Sequence, residues 1–444
     1  MSKPLCLISG PIFNRSGYGD WATAVAKSLV RYNKFDVKIA PQRWGNCQSK
    51  RFLEEIVDPE EKMLATLLLN GQLQKQPDLF IQLSIPNEFQ RVGKYNIGMT
   101  AGVETTLSPG DFIEGLNRMD LNITLSKHSK DVFLNTKLTK QLQNGQKQEV
   151  AVNKPIEVCF WGANTDIYKK TDERVASVDE ALSKIEESFA FLFVGQLTSP
   201  HLYKDRKDIG NLIKAFCEAF NNNAQSKPCL ILKTSGVGFS TMDRFEILNM
   251  VKKVQSSIGG NLPKVYVLHG ELSDVEMNAL FNHPKVKAHV SFTHGEGYGH
   301  PMLLQTLSGK PLLAPNWSGH LDFLNPKYAN LLPGQLAEVE KKASNKWLLK
   351  ESQWFKVSYG LAQDRMKSLF NNYGNEKTQS NAEKLRLENS EKFSMAAMDK
   401  KLWEILDANL PKFSVENSFV LPKLKVDTKA GDQGQIVLPK LKIS

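Results

Sequence analysis

The chain has 444 residues, which is enough for two or three domains that each bury their own hydrophobic core. Its composition, 41% hydrophobic and 23% charged, is ordinary for a soluble globular protein. No window approaches eighteen consecutive apolar residues, so no membrane span is expected.

The amino terminus and the cysteines indicate a cytoplasmic protein. The opening sequence M-S-K-P-L-C-L-I-S-G contains an apolar run that is too short for a signal peptide. The run is typical of a first buried strand. The cysteines are odd in number and scattered, without metal-binding spacing: Cys6, Cys47, Cys159, Cys217 and Cys229. We therefore predict reduced, mostly buried thiols and no metal site.

The charge balance suits an anionic partner. Net charge is +10, which fits nucleotide sugars, nucleic acids or acidic lipids, and equally a generally soluble surface. Six lysines and only two acids lie between Lys127 and Lys154, where N-G-Q-K-Q predicts an exposed loop.

In chain order, strand-length apolar runs alternate with helical patterns. The predicted strands of the first half are 5–8, 37–40, 79–83, 95–99 and 121–125, and those of the second half are 189–194, 229–232, 265–268, 286–290 and 312–314. The clearest helical face carries Ile209, Leu212, Ile213, Phe216 and Phe220. Such alternation predicts parallel sheets covered by helices on both faces, in two Rossmann-like domains.

The end of the chain differs from the rest. Residues 341–410 are heavily charged and predict helices, and the tail repeats V-L-P-K-L-K at 420–425 and 437–442. Proline within short apolar runs favours extended segments. We predict a solvated tail at 411–444, with a docking motif for a partner protein as the alternative.

A glycine-spaced loop is the most informative motif. The run S-F-T-H-G-E-G-Y-G-H-P at 291–301 follows a predicted strand and opens a helix. Its glycines let the backbone approach a ligand closely, and a helix start favours an anion. Ligands of parallel sheets bind at the carboxyl ends of the strands, so this loop, with its single acid Glu296, is a candidate binding site.

These residues carry a family resemblance. E-G-Y-G-H-P, the apolar helix after it, and S-G-K-P before the next strand resemble the donor-site signature of glycosyltransferase family 4, possibly in a viral or phage-type member. The resemblance implies the GT-B architecture, in which two Rossmann-like domains face each other across a cleft. It further implies an acceptor domain at 1–165, a donor domain at 166–391, and a crossover helix at about 392–410 that returns to the first domain.

The resemblance assigns the donor site. It implies catalytic roles for Glu296, which would accept hydrogen bonds from the donor sugar, and for Lys207, which would hold the diphosphate; Arg206 would supply the charge of a family arginine, whose position here is Gln196. The remaining implied donor-binding residues are Gly17, Tyr18, Gly19, Gln196, Lys233, Gly295, Gly297, Tyr298, Gly299, His300 and Pro301. Where the family has a second acid, this chain has Leu304.

Residues on the acceptor side come from the first half. T-A-G-V-E-T-T-L-S-P at 100–109 and the segment 117–129 resemble family segments at the cleft, which places Glu104, Thr105 and His128 there. Whether Glu104 orders a loop or binds the acceptor is open.

The implied function is transfer of a sugar from a UDP- or GDP-linked donor to an acceptor hydroxyl, with retention of configuration and without a metal or other cofactor. The leaving diphosphate would help to accept the acceptor's proton. A glycan is the family's usual acceptor. The alternatives are a hydroxylated base in DNA, which would make nucleic acid a partner and place the protein in a host cytoplasm if viral, or a catalytically impaired sugar-nucleotide-binding or virion protein on the same scaffold.

Overall fold

The structure is a computed structural model that describes residues 3–45, 58–141, 145–222, 227–236 and 238–413. The strands are β1 Leu5–Gly10, β2 Asp36–Pro41, β3 Leu79–Leu83, β4 Tyr95–Thr100, β5 Leu121–Thr124, β6 Leu138–Gln141, β7 Lys147–Val150, β8 Ile156–Val158, β9 Ala190–Val194, β10 Cys229–Lys233, β11 Val265–Leu268, β12 Val286–Val290, β13 Leu312–Pro315, β14 Asn330–Leu332, β15 Gly334–Glu338 and β16 Gln353–Val357. The helices are α1 Gly17–Tyr32, α2 Pro59–Thr66, α3 Gly110–Asn117, α4 Lys127–Asn135, α5 Ala176–Leu182, α6 Ile209–Ala219, α7 Thr241–Ser256, α8 Asp274–Asn282, α9 His300–Thr306, α10 Tyr359–Asn371, α11 Glu376–Lys392 and α12 Met395–Asn409.

Two parallel six-stranded sheets form the framework. The first has the order β2-β1-β3-β4-β5-β8 and the second has the order β11-β10-β9-β12-β13-β14. Strands β1 and β3 are buried along their whole length, as expected for sheets covered by helices on both faces. We call each sheet with its helices a lobe. All ten predicted strands are present, so the prediction of two Rossmann-like units is confirmed.

The second lobe has an apolar core of the predicted kind. The predicted helical face lies on α6, and all five of its apolar side chains are buried. Four of them lie within the helix, and the fifth, Phe220, is the residue that caps its carboxyl end. This face packs against the phenylalanines of β9. Burial of the face fixes α6 on the sheet, and with it the loop that precedes α6.

The chain crosses between the lobes at two adjacent points. The backbone N–H of Ala163 donates to the carbonyl of Phe393 at 2.7 Å, and Met395 N–H donates to Ala163 O at 2.9 Å. Helix α12 then packs on α1 of the first lobe, where Trp403 Nε1 donates to Ser28 O at 3.1 Å. The predicted crossover helix is therefore confirmed.

The helix prediction for residues 341–410 is wrong over its first part. Residues 341–358 are not helical: Gln353–Val357 is a strand that pairs antiparallel with Gly334–Glu338, and the helices begin only at Tyr359. The alternation of Phe355 and Val357 with Lys356 and Ser358 fits an edge hairpin better than a helix. The repeated tail segment and Cys47 lie outside the described residues, and the other four cysteines are buried free thiols, as predicted.

Candidate functional site

The glycine loop of the second lobe lies at the carboxyl edge of its sheet and is covered by the first lobe. Residues 291–299 are all buried. The Ser126 hydroxyl of the first lobe donates to Gly297 O at 2.5 Å, and the backbone N–H of Lys127 donates to Asp322 Oδ2 at 2.9 Å. The loop that carries Glu296 is thus part of the interface between the lobes.

Four charged side chains converge at this interface. Lys207 Nζ lies 2.5 Å from one carboxylate oxygen of Glu296, and Arg206 Nη1 lies 3.3 Å from the other. Arg206 also donates to Gly295 O at 2.5 Å and reaches Glu104 of the first lobe at 3.5 Å. The sequence placed Lys207, Arg206 and Glu296 at one site, and the structure brings them into direct contact. We call these four residues the charge cluster.

Burial makes the electrostatics of the charge cluster strong. The side chains of Arg206, Lys207 and Glu296 are 17%, 14% and 9% exposed. Burial alone would raise the pKa of Glu296, but Lys207 and Arg206 outweigh it and lower that pKa to about 2. Burial, assisted by the neighbouring Arg206, lowers the pKa of Lys207 despite the attraction of Glu296. The cluster therefore holds an ionised carboxylate against two closely spaced cations.

One aspartate organises the loop that presents the two cations. Asp205 accepts hydrogen bonds from Thr198 N–H and Oγ1 at 3.0 and 2.6 Å, and from Ile209 N–H at 3.1 Å. These bonds tie both ends of the loop to the start of α6. Lys207 and Arg206 consequently project from a fixed backbone, which a site that binds a charged group requires.

Glycines in the 295–299 loop serve close packing between lobes. A Cβ at Gly295 would lie 2.1 Å from Glu104 O, and one at Gly297 would lie 2.4 Å from Ala101 O. Gly299, with φ of 88°, caps α9 in the left-handed region. We expected these glycines to let a ligand approach the backbone; in the structure Gly295 and Gly297 admit the backbone of the first lobe instead.

The predicted glycine loop of the first lobe is the first turn of α1. Ser16 caps this helix by accepting from Gly19 N–H at 3.0 Å, and a Cβ at Gly19 would meet Asn14 O at 2.0 Å. The Tyr18 hydroxyl accepts from Ala101 N–H at 2.9 Å, and burial raises the pKa of Tyr18 to about 12. Tyr18 therefore supports the segment that touches the glycine loop, whereas Gly17 lines a cavity described below.

Two predicted donor residues point away from the charge cluster. Gln196 is exposed, and its amide donates to Gly236 O at 2.9 Å. Lys233 Nζ donates to Gly270 O at 2.6 Å and lies over the ring of Phe239. Neither residue contacts Glu296 in the structure, because each is held by the loop after β10 or β11.

The predicted acceptor-side residues lie at the interface in different roles. Glu104 belongs to the charge cluster, whereas the Thr105 hydroxyl donates to Leu107 O at 3.1 Å within its own loop. His128 packs edge-on against Trp317 of the second lobe, with ring centres 4.7 Å apart. Burial, together with His320, lowers the pKa of His128 to about 4, so this ring is neutral at pH 7.

A cavity of about 400 Å³ lies beside the start of α9, between the lobes. Its described lining includes Gly17, Trp161, His300, Pro301 and Leu304. The rings of Trp161 and His300 are stacked at 3.5 Å with an angle of 7°, and burial lowers the pKa of His300 to about 3. Leu304 therefore lines this cavity as an apolar side chain. Tyr298 is buried against Phe323 nearby.

Sequence reasoning missed two residues that shape the glycine loop. Ser318 Oγ accepts from Glu296 N–H at 3.0 Å, and Thr293 Oγ1 donates to Gly295 O at 3.1 Å. Ser318 follows β13, so it lies at the same edge of the second sheet as Glu296. Because ligands bind at the carboxyl ends of parallel strands, this position could have indicated Ser318 as a site residue. Trp161 had no such signal, because its stacking partner is distant in sequence.

Two other features, a metal-binding cluster and a membrane-spanning helix, are absent from the described residues. Within them, no three histidine, cysteine, aspartate or glutamate side chains lie together in an arrangement that could hold a metal ion. No helix in the described ranges is long and apolar enough to cross a membrane.

Comparison with solved structures identifies the architecture. A glycosyltransferase from Rickettsia africae matches with a TM-score of 0.60 and 12% identity, over 93% of this chain and all of that one. Anabaena HepE in complex with UDP and glucose matches with a TM-score of 0.58 and 12% identity, over 91% of this chain and all of that one. The chain has the GT-B fold.

A third match extends the same fold to another enzyme. Sucrose-phosphate synthase from Thermosynechococcus elongatus matches with a TM-score of 0.57 and 12% identity, over 91% of this chain and 98% of that one. No family model matches the sequence, and no curated protein matches it either. At such identities the likeness concerns the fold, so the chemistry must be argued from the residues themselves.

Proposed function

We propose that this chain is a glycosyltransferase that moves a sugar from a nucleotide-diphosphate donor to an acceptor hydroxyl. The observation that carries the proposal is the convergence of Arg206 and Lys207 on Glu296 at the interface between two Rossmann-like lobes. Solved structures with this fold include complexes with UDP and glucose and with UDP-glucose, which supports a UDP-linked donor.

The charge cluster has the chemistry that such a transfer needs. As the bond between sugar and diphosphate breaks, negative charge grows on the departing phosphate oxygens. Two fixed cations in a buried site stabilise that charge far more than solvated lysines would. Glu296, ionised at neutral pH, would accept hydrogen bonds from the sugar hydroxyls and hold the sugar against the cations.

The finer features of the reaction follow from the family 4 resemblance. We propose retention of anomeric configuration, with attack from the face that the diphosphate leaves. The diphosphate, held by Arg206 and Lys207, would take the acceptor's proton, and no metal would be required. The anomer of the product, determined by NMR, and turnover in the presence of EDTA test these two features separately.

For the acceptor, we propose a glycan or another hydroxyl compound that enters beside Glu104. This carboxylate is 34% exposed and lies at the first-lobe side of the charge cluster, so it is the member of the cluster nearest to solvent. A hydroxylated base in DNA is the alternative acceptor. Three exposed lysines favour that alternative: Lys140 and Lys147 on the paired strands β6 and β7, and Lys137 directly before β6.

A catalytically impaired binding protein is the second candidate function. Gln196 is turned toward Gly236, away from the charge cluster, and Leu304 offers no oxygen to a ribose. Both departures remove polar contacts that the family uses. This candidate predicts nucleotide-sugar binding without turnover, whereas the first predicts both.

A donor screen tests the proposal. The protein is mixed with UDP- and GDP-linked sugars, and thermal stabilisation and nucleotide release are measured. We expect at least one donor to raise the melting temperature, because a ligand that binds only the folded state stabilises it. Glu296→Ala should reduce nucleotide release by at least 100-fold, roughly the loss seen when a catalytic hydrogen-bonding group is removed. Absence of binding to every donor would refute the proposal.

A further inference from the structure

The loop that presents Arg206 and Lys207 has a second, outward face. Its middle residues, Pro200, His201, Leu202 and Lys204, line an open groove of about 510 Å³ on the flank of the second lobe. Helix α7 and the turn at residue 342 form the other walls. The groove is separate from the charge cluster but belongs to the same loop, only two to six residues away.

The groove is basic with an apolar floor. Lys204, Lys253 and Lys342 supply the charge, and the apolar lining is formed by Leu202, Met250 and Val254. Among the described lining residues of the groove there is no acid. Lys253 and Lys342 are exposed. Within the described part of the chain, none of the three lysines of the groove forms an ion pair. Unpaired cations around an apolar surface favour a partner that combines negative charge with apolar faces.

A strained aromatic residue adjoins this groove. Tyr203 is 51% exposed and adopts a φ of 68°, in the left-handed region that a bulky side chain rarely occupies. It lines a neighbouring cavity of about 690 Å³, which shares Leu202 and Lys342 with the groove. An exposed ring held in a costly backbone conformation, directly before Lys204, indicates a binding role.

Acidic residues in the neighbouring cavity restrict an anionic partner to the groove. Glu338 and Glu340 line the neighbouring cavity, and Glu340 is paired with Lys356 at 2.8 Å. That side is close to neutral overall, so phosphates would be attracted mainly to Lys204, Lys253 and Lys342. The ring of Tyr203 lies on the border between the basic and the neutral side.

We propose that this groove binds single-stranded nucleic acid, with its phosphates on Lys204, Lys253 and Lys342 and a base stacked on Tyr203. Alternation of cations with an exposed ring is how proteins hold single strands without reading their sequence. The net charge of +10 attracts the same partner. The proposal concerns binding only and does not rest on sugar transfer.

Fluorescence anisotropy with a labelled oligothymidylate and the full chain tests the proposal. We expect the groove variant Lys204→Ala/Lys253→Ala/Lys342→Ala to bind at least tenfold more weakly at low salt. The slope of log affinity against log salt should fall by about 2, because each phosphate contact on a single strand contributes about 0.7. Tyr203→Ala should weaken binding at least fivefold, while Tyr203→Phe keeps the affinity.

A matched control removes the same charge elsewhere. Lys367→Ala/Lys377→Ala/Lys400→Ala, three exposed lysines on α10, α11 and α12, should change the affinity by less than about threefold and leave the slope nearly intact. Circular dichroism verifies the folding of every variant.

Three results would overturn the proposal. They are no binding of the oligonucleotide at low salt, equal losses in the groove and control variants, and equal affinity for an abasic oligonucleotide of the same length. The last result would indicate an anionic polymer recognised without its bases. Donor binding and nucleotide release are measured in the same variants, so that a failure of the groove is distinguished from a failure of the charge cluster.

Discussion

The buried pair of Lys207 and Glu296 predicts a strong coupling that a double-mutant cycle measures. Both side chains are less than 15% exposed, and their charged atoms are 2.5 Å apart. Removal of one partner from a buried pair leaves an uncompensated charge and typically costs about 3–5 kcal/mol. For Lys207→Met we expect the lower end, about 3 kcal/mol, because Arg206 remains 3.3 Å from the carboxylate. Glu296→Gln should cost a similar amount, since it leaves two cations facing each other.

The double variant Lys207→Met/Glu296→Gln should cost clearly less than the sum of the single variants, with a coupling energy of about 2 kcal/mol. Urea unfolding followed by circular dichroism gives the free energies, provided that the slopes agree. The matched control is the exposed pair of Lys264 and Glu186, 53% and 82% exposed and 2.7 Å apart, whose coupling should not exceed about 1 kcal/mol. Equal coupling in the two pairs would refute the argument that burial makes the charge cluster strong.

Three further predictions concern the interface and the pH dependence. Gly295→Ala should separate the lobes, because its Cβ would lie 2.1 Å from the carbonyl oxygen of Glu104. We expect faster amide hydrogen exchange around residues 101–104 in this variant. The control Gly360→Ala, which has open space around its Cβ, should exchange like the parent. The pKa of Glu296 is lowered from 4.5 to about 2, so its ionisation stabilises the fold fully above pH 4.5. About 3 kcal/mol should be lost as the pH falls toward 2, and stability titrations of Glu296→Gln should lack this loss. Trp161→Ala should cost about 1–3 kcal/mol in urea unfolding, since it removes a stacked ring, and Trp161→Phe should restore most of it; no loss would contradict a structural role for the stack.

The sequence predicted the central strands well because they are continuous apolar runs. Strands such as Leu79–Leu83 are buried on both faces of a parallel sheet, which leaves a strong local signal. The strands that were missed, among them Ile156–Val158, Asn330–Leu332 and Gln353–Val357, lie at sheet edges or in a hairpin and mix polar with apolar residues. Their pairing depends on neighbours that are distant in the chain, which local patterns do not contain.

The same distinction applies to the candidate site. Glu296 was found because its glycine-spaced loop follows a strand and opens a helix, at the edge of the sheet where ligands bind. Lys207 was assigned through the resemblance of its segment to glycosyltransferase family 4. The direction of Gln196 could not be predicted, because it depends on a carbonyl at Gly236 in another loop. Likewise, the contact of Gly295 with Glu104 requires both lobes to be placed together.

The central claim is that the charge cluster binds the donor's diphosphate, and calorimetric titration with UDP or GDP tests it most directly. The comparison is between the parent, Lys207→Met, and the control Lys264→Met, whose lysine is exposed and distant from the cluster in the second lobe. We predict that Lys207→Met weakens binding by at least tenfold, as expected for loss of about 1.4 kcal/mol or more of ionic contact, while the control keeps the parent affinity. Equal affinity in all three proteins would contradict the account.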